Sequence, residues 1–365
     1  MELTRLKKNE VSTGNSIVTL PMLIYFLLFL LGLWGCMAIY NATFHSDNPF
    51  HYAGRQFLWL IIGIFALFAA SSVPFEFYKS CIVPLALITY IPLWLVLFWG
   101  ISVNGMHGWF EVGSVFIQPS EFAKTPFVML LCMLASDKKD NFRKFISLLF
   151  VTLLYSLPIA LQPDFGTLFI YIAAFITVYW IAGGRILYML FSALAILPFS
   201  IYFLLKNNYV FSRLTGFLSP ESDPLGSGWH ICQFRYTLAR GGFWGESWGK
   251  ALWANSYLPL SHSDSAFASL TESLGFAGSF PVVAGLIFLS FIIYRLSLKP
   301  GDNLARYMIF GIGALFIIQA LVHISVNVTL IPPTGITLPI LSYGGSSLIS
   351  TMIGFGILLS ASEKK

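Results

Sequence analysis

Ten apolar runs divide this chain, and no other feature restricts its fold as much. They fall near 17–40, 56–73, 81–101, 119–136, 145–161, 167–182, 186–205, 266–294, 307–330 and 346–361. About 20 apolar residues is the length that crosses a bilayer as a helix, the form in which a segment satisfies its own backbone N–H and C=O groups. Ten such spans use most of the 365 residues and leave little for a soluble domain. Charged residues make up 10% of the chain and apolar residues 57%, whereas soluble proteins carry about a quarter charged. A disordered chain, a disulfide-stapled secreted domain, a collagen and an ordinary soluble enzyme are excluded. The first run is too long for a signal peptide and is followed by further spans. The expected fold is an all-α polytopic membrane protein of about ten transmembrane helices, with a large extracytoplasmic loop between the seventh and eighth.

Lys and Arg set the orientation. With the N-terminus inside, fourteen of the 21 cations fall on inside segments, and Arg55 alone lies in a short outside loop. Five more sit in the long outside loop, which counts weakly, and Lys124 is within a span. Both termini are therefore expected in the cytoplasm. The expected division is a cytoplasmic tail over 1–16, one membrane domain over 17–361 with its outer loop at about 206–265, and a second tail over 362–365. The net charge of +5 marks the cytoplasmic face and does not point to nucleic acid. Cys36, Cys81 and Cys132 lie in apolar runs, so with Cys232 they form no disulfide framework.

This orientation leaves short charged loops inside and the unusual chemistry outside. Gln118-Pro-Ser-Glu-Phe-Ala-Lys124 opens the fourth span, and Glu121 and Lys124 share a helix face. They read either as an internal ion pair or as cavity residues, since intramembrane charges are costly. Asp164 is placed to cap the sixth span, with substrate contact the minority reading. The long loop holds four of the ten Trp and carries Arg213, Arg235, Arg240 and Lys250. Such a loop is expected to lie on the outer leaflet, with its cations among lipid phosphates. His262 and Asp264 enter an apolar boundary together, where burial raises a carboxyl toward the range a general base needs. Glu272, eight residues on, is expected on the same face as a second cavity carboxylate. Gln319, His323 and Asn327, spaced by four, form one polar stripe, for which interhelical hydrogen bonding is the plain account. The stretch 332–347, which includes Ser342 and Ser346, is rich in helix breakers and hydroxyls. Such backbone survives at membrane depth only when packed in protein or lining a cavity.

In this order and on these spans, the clusters resemble the SEDS family (shape, elongation, division and sporulation), the FtsW/RodA/SpoVE group of peptidoglycan glycosyltransferases. The resemblance covers nearly the whole chain. It rests chiefly on Pro333-Thr-Gly-Ile-Thr-Leu-Pro-Ile-Leu-Ser-Tyr-Gly-Gly-Ser-Ser347, supported by Gln118 to Lys124, Gln162-Pro-Asp164 and His323-Ile-Ser-Val-Asn327. Thr337 in Gly335-Ile-Thr-Leu-Pro339, with Gly113 to Ser120 and Tyr257-Leu-Pro259, favours the division branch, FtsW-like.

The resemblance implies polymerisation of lipid II into glycan strands at the outer face of the bacterial inner membrane, in cell division. Asp264 of His262-Ser-Asp264 inherits the general-base role. Glu121, Lys124, Asp164, Arg213, Arg235, Arg240, His262, Glu272, His323, Asn327, Ser342 and Ser346 are the candidate substrate-binding residues. The implied partners are lipid II, a class B penicillin-binding protein (a transpeptidase) and divisome proteins. The leaving pyrophosphate makes Mg²⁺ or another divalent cation an expected aid, although no carboxylate cluster announces a site. Three departures remove family cations or hydrogen bonds. Gly108 stands where the motif has Arg, Ala254 where it has Lys, and Trp229-His230 replaces Tyr-Gln. The rival readings are a lipid II flippase and a catalytically weak scaffold for the transpeptidase.

Overall fold

The structure, a computed structural model, describes residues 19–363 apart from 104, 114, 139 and 207. The tail over 1–16 therefore lies outside the described residues, as do 364 and 365 of the second tail. Seven helices precede the large loop: α1 Thr19–Ala42, α2 Pro49–Ser72, α3 Phe75–Trp99, α4 Pro119–Ser136, α5 Asn141–Leu161, α6 Phe165–Ile181 and α7 Ile186–Lys206. The loop folds into α8 Asn208–Leu218, a 3₁₀ turn at Pro220–Ser222, α9 Trp229–Gly241 and α10 Leu252–Ser256. Then follow α11 Ala266–Ser297, α12 Asn303–Asn327 and α13 Gly345–Ser362. Each apolar run matches one helix, and several helices begin earlier than their runs. Thus α2 starts at Pro49, because its first turns are amphipathic and the apolar stretch follows them.

Among the described residues, seven helices (α1, α2, α3, α5, α11, α12 and α13) are long and apolar enough to cross a membrane by length and composition. Large apolar side chains face outward along them, such as Phe65 and Phe98, both 75% exposed. In water such surface would be untenable; against lipid tails it has no cost. The chain is a multi-pass membrane protein. Its centre is formed by α4, α12 and α13, whose buried residues cover nearly every face. Close approach of α2 and α13 needs glycine. A Cβ on Gly356 would lie 2.5 Å from the Ala70 Cβ, and one on Gly63 would lie 2.6 Å from Leu348 Cδ2.

Two features go beyond the ten spans. Between α3 and α4 the chain makes a three-stranded antiparallel meander, β1 Ile101–Val103, β2 Met106–Val112 and β3 Val115–Ile117. Gly105 and Gly113, at φ +82° and +63°, supply the left-handed residues its two turns require. The second is a break in α11 at Gly275 (φ 67°, ψ −169°). The loop fills it. Glu246 N and Ser247 N donate to the carbonyls of Glu272 and Ser273 at 2.9 and 3.0 Å. Phe276 N and Ala277 N donate back to Gly242 and Phe243, both at 3.0 Å. Backbone groups freed by the break are thus satisfied by protein, as membrane depth demands, and the outer loop is tied to the membrane helices.

Candidate active site around Asp264

Asp264 sits in the turn that enters α11. The turn is tight: Ser263 N and Ser265 N both donate to Leu260 O, at 2.9 and 3.3 Å. Three consecutive carbonyls of this turn are held from two other elements. His262 O accepts from Tyr343 N at 2.8 Å. Ser263 O accepts from Ser342 Oγ at 2.7 Å, and Asp264 O from Asn327 Nδ2 at 3.0 Å. The backbone is pinned, and His262 and Asp264 are both half-buried.

The polar stripe of α12 does the pinning. Asn327 Oδ1 accepts from Ala268 N at 2.9 Å, in the first turn of α11. His323 Nδ1 lies 2.7 Å from Ile336 O. A carbonyl only accepts, so Nδ1 carries the proton and Nε2 can accept from Asn327 Nδ2 at 3.3 Å. Gln319 Nε2 donates to Thr337 O at 3.2 Å. Its Oε1 accepts from Lys124 Nζ at 2.9 Å, and Lys124 pairs with Glu121 at 2.6 Å. Residues spaced by four along one helix therefore hold both the 332–344 segment and the Asp264 turn. His323 and Asn327 are completely buried, so they act on the site through the backbone they hold.

Burial pushes the Asp264 carboxyl up to about 7 from an ordinary 3.8; Arg213 and the Ser263 hydroxyl pull it down, and Asp164 pushes it further up. His262 is held below its usual range by burial, which favours the neutral ring. Gly335, at φ +71°, lies against the carboxylate: a Cβ there would be 3.8 Å from Asp264 Oδ2. Arg213, on α8, donates to Pro333 O at 3.3 Å, which sets a cation beside the start of the same segment.

Other candidates form the floor and the flank. Asp164 caps α6 by accepting from Thr167 N at 3.0 Å, and also accepts from Gln118 Nε2 at 3.2 Å. Ser346 Oγ donates to Phe116 O and accepts from Gln118 N, both at 3.2 Å, joining α13 to the meander. Beside the Glu121–Lys124 pair is a cavity of about 20 Å³, also lined by Gln319 and Ser350. It has room for one water and none for a sugar.

Glu272 does not stand where helical spacing put it. The helix begins at Ala266, so a two-turn spacing does not run back to Asp264. The Glu272 carboxylate is completely buried and fully engaged. It accepts from Arg240 Nε and Trp253 N at 3.0 Å each, and from Ala254 N at 2.6 Å. Arg240 also pairs with Glu246 at 3.4 Å. Glu272 and Arg240 thus lock α9 and α10 onto α11, with the carboxylate out of contact with solvent. Arg235 pairs with Glu221 at 3.9 Å on the loop surface, and no described contact brings it to Asp264. Ala254 is buried with Phe234, Leu258 and Val326, so a cation there would enter a small apolar core. Gly108 faces Gln162: a Cβ would lie 3.0 Å from Gln162 Oε1.

Sequence reasoning passed over Gln118, Tyr52 and Arg55. Gln118 opens a motif but reads as a helix boundary. Tyr52 and Arg55 precede an apolar run and read as loop residues.

Residues 19–365 match the family model FTSW_RODA_SPOVE, described as cell cycle protein. A Trichlorobacter lovleyi protein named "Probable peptidoglycan glycosyltransferase FtsW" is 32% identical over 343 residues, covering 90% of this chain and 89% of its own. Stage V sporulation protein E of Bacillus subtilis is 34% identical over 353 residues, covering 94% and 96%. A chain from a solved peptidoglycan synthase complex that coordinates polymerisation and crosslinking has the same fold. Its TM-score is 0.78 at 24% identity, over 96% of this chain and 98% of that one.

Proposed function

The chain belongs to the FtsW/RodA/SpoVE family of cell cycle proteins, and from that premise we propose that it is a peptidoglycan glycosyltransferase of cell division, with Asp264 as its general base. Its substrates are two molecules of lipid II at the outer face of the bacterial cytoplasmic membrane, with both termini inside. The 4-hydroxyl of the acceptor's N-acetylglucosamine attacks the anomeric carbon of the donor's N-acetylmuramic acid. The hydroxyl proton passes to Asp264 as the new C–O bond forms. The bond to the diphosphate breaks, undecaprenyl pyrophosphate leaves with the electron pair, and the α-linkage becomes β.

A sugar hydroxyl is a weak nucleophile, and a positioned base contributes about 10²–10⁴-fold. The observation that carries the assignment is a half-buried Asp264 on a three-point-pinned turn, its carboxyl raised to about 7 by burial. A base is most effective when its pKa lies near the working pH. Arg213 is the cation nearest to hand for charge developing on the leaving diphosphate.

Among the described residues no three His, Cys, Asp or Glu side chains converge as metal ligands. No step is routed through a metal. A class B penicillin-binding protein is the proposed partner, supported by family membership, with lipid II and the divisome completing the setting.

The test is polymerisation of lipid II by purified protein, alone and with a transpeptidase. The expected result is glycan from the wild type and none from a folded Asp264→Asn variant; an equal rate from that variant removes the assignment.

A further inference from the structure

A second group of side chains adjoins the Asp264 turn. Tyr52, in the first turn of α2, stacks on the His262 ring with centroids 4.5 Å apart and planes 28° apart. Tyr343 meets both rings edge-on, at 5.2 and 5.5 Å. Arg55, almost one turn further along α2, hydrogen-bonds the Tyr343 side chain. All four residues are half-buried, so each keeps some exposed surface. The structural work at this contact is already done by the buried Gln56. Its Nε2 donates to Ser342 O and Ile340 O at 3.0 and 3.3 Å, and its Oε1 accepts from Gly344 N at 3.3 Å. Packing does not require three part-open rings and a cation outside that anchor.

The chemistry of the cluster matches one kind of ligand. The C–H face of a pyranose packs on aromatic rings, and polar atoms at the ring edges can meet its hydroxyls. A guanidinium at the mouth of a membrane helix lies at phosphate level and pairs with phosphate in a fixed geometry. We propose that Tyr52, His262, Tyr343 and Arg55 form the acceptor subsite. The rings hold the terminal sugar so that its 4-hydroxyl lies at Asp264, and Arg55 faces the diphosphate of the same lipid.

This assignment rests on the glycosyltransferase reading. The acceptor, not the donor, is placed here because its hydroxyl must reach Asp264; His262 shares the pinned turn with that residue, and Tyr343 N is one of the donors that pin it. Arg213 reaches the other end of the 332–344 segment, at Pro333, from α8.

The experiment separates donor from acceptor. Lipid II with its 4-hydroxyl blocked acts only as donor and is held saturating while ordinary lipid II is titrated as acceptor; the roles are then exchanged. Tyr52→Ala and Arg55→Gln are expected to raise the acceptor concentration for half-maximal rate about tenfold. Donor half-saturation and Tm stay near wild type. Tyr52→Phe, which keeps the ring, is expected to restore most of the acceptor affinity. Should Tyr52→Ala not fold, Arg55→Gln carries the same comparison. Unchanged acceptor half-saturation in both variants, or a shift on the donor side only, overturns the subsite while leaving Asp264 intact. Loss of the parent reading looks different: the wild type makes no glycan, or Asp264→Asn matches it, and both assignments then fall together.

Discussion

Two carboxylates eight residues apart have opposite duties. Asp264 stands half-buried in a turn with three consecutive carbonyls held from other elements. Glu272 is completely buried, and its oxygens accept from one guanidinium and two backbone amides. The difference lies in what each carboxylate has been given to bind. A buried anion supplied with three donors becomes a fastener, because those donors hold it ionised and its removal strands them. A carboxyl supplied with burial but few donors is held near neutrality and can take a proton.

The largest expected effect breaks the reactive side of this pair. Asp264→Asn should lower the polymerisation rate by about 10²–10⁴-fold with Tm unchanged or raised, as measured by glycan product and thermal unfolding in detergent. The pH profile sharpens the same point. The base works deprotonated, so wild-type kcat/KM should climb with pH and level off above about 7. Stability runs the other way. Between the ordinary carboxylate range and about 7 the folded state keeps a proton that the unfolded state has released. Stability therefore falls as pH rises through that window, and Asp264→Asn should remove that slope.

Glu272→Ala attacks the fastener. It should lower stability by roughly 2–4 kcal/mol, below the loss for a fully enclosed pair because Arg240 keeps 35% of its side chain exposed. Thermal unfolding reads this directly, and residual activity should scale with the folded fraction. Catalytic loss at unchanged Tm would merge the two roles the comparison separates.

Gly335→Ala imposes a side chain at φ +71° beside Asp264 Oδ2. The strain should be about 1–2 kcal/mol, with a drop in rate of several-fold. Ser342→Ala removes one of the three carbonyl anchors, about 1 kcal/mol, and should slow polymerisation less than Gly335→Ala does. The smallest effect concerns tuning. Arg213 pulls the Asp264 carboxyl down, so Arg213→Gln should move the midpoint of the pH–rate profile upward by less than about one unit.

Some of this was readable from residue order alone. Asp164 as a cap and Glu121–Lys124 as a pair follow from spacings of three, which local helix geometry converts into contact. The stripe at Gln319, His323 and Asn327 was visible as a stripe, but what it held was not, since the carbonyls of Asp264, Ile336 and Thr337 come from other parts of the chain. Glu272 was misplaced because helical periodicity was carried through a turn. Tyr52 and Arg55 were missed because their partners lie more than 200 residues away, at His262 and Tyr343.

Residue order by itself determined that this chain lives in a bilayer, where its apolar helices fall and where its unusual polar groups cluster. Those properties are sums over local stretches, set by apolar length and helix period. Tertiary packing alone decided which carboxylate is spent and which is free, because donors reach a carboxylate through space. It also decided that the 332–344 segment closes over the Asp264 turn: both are irregular, and each satisfies its backbone on the other and on α12.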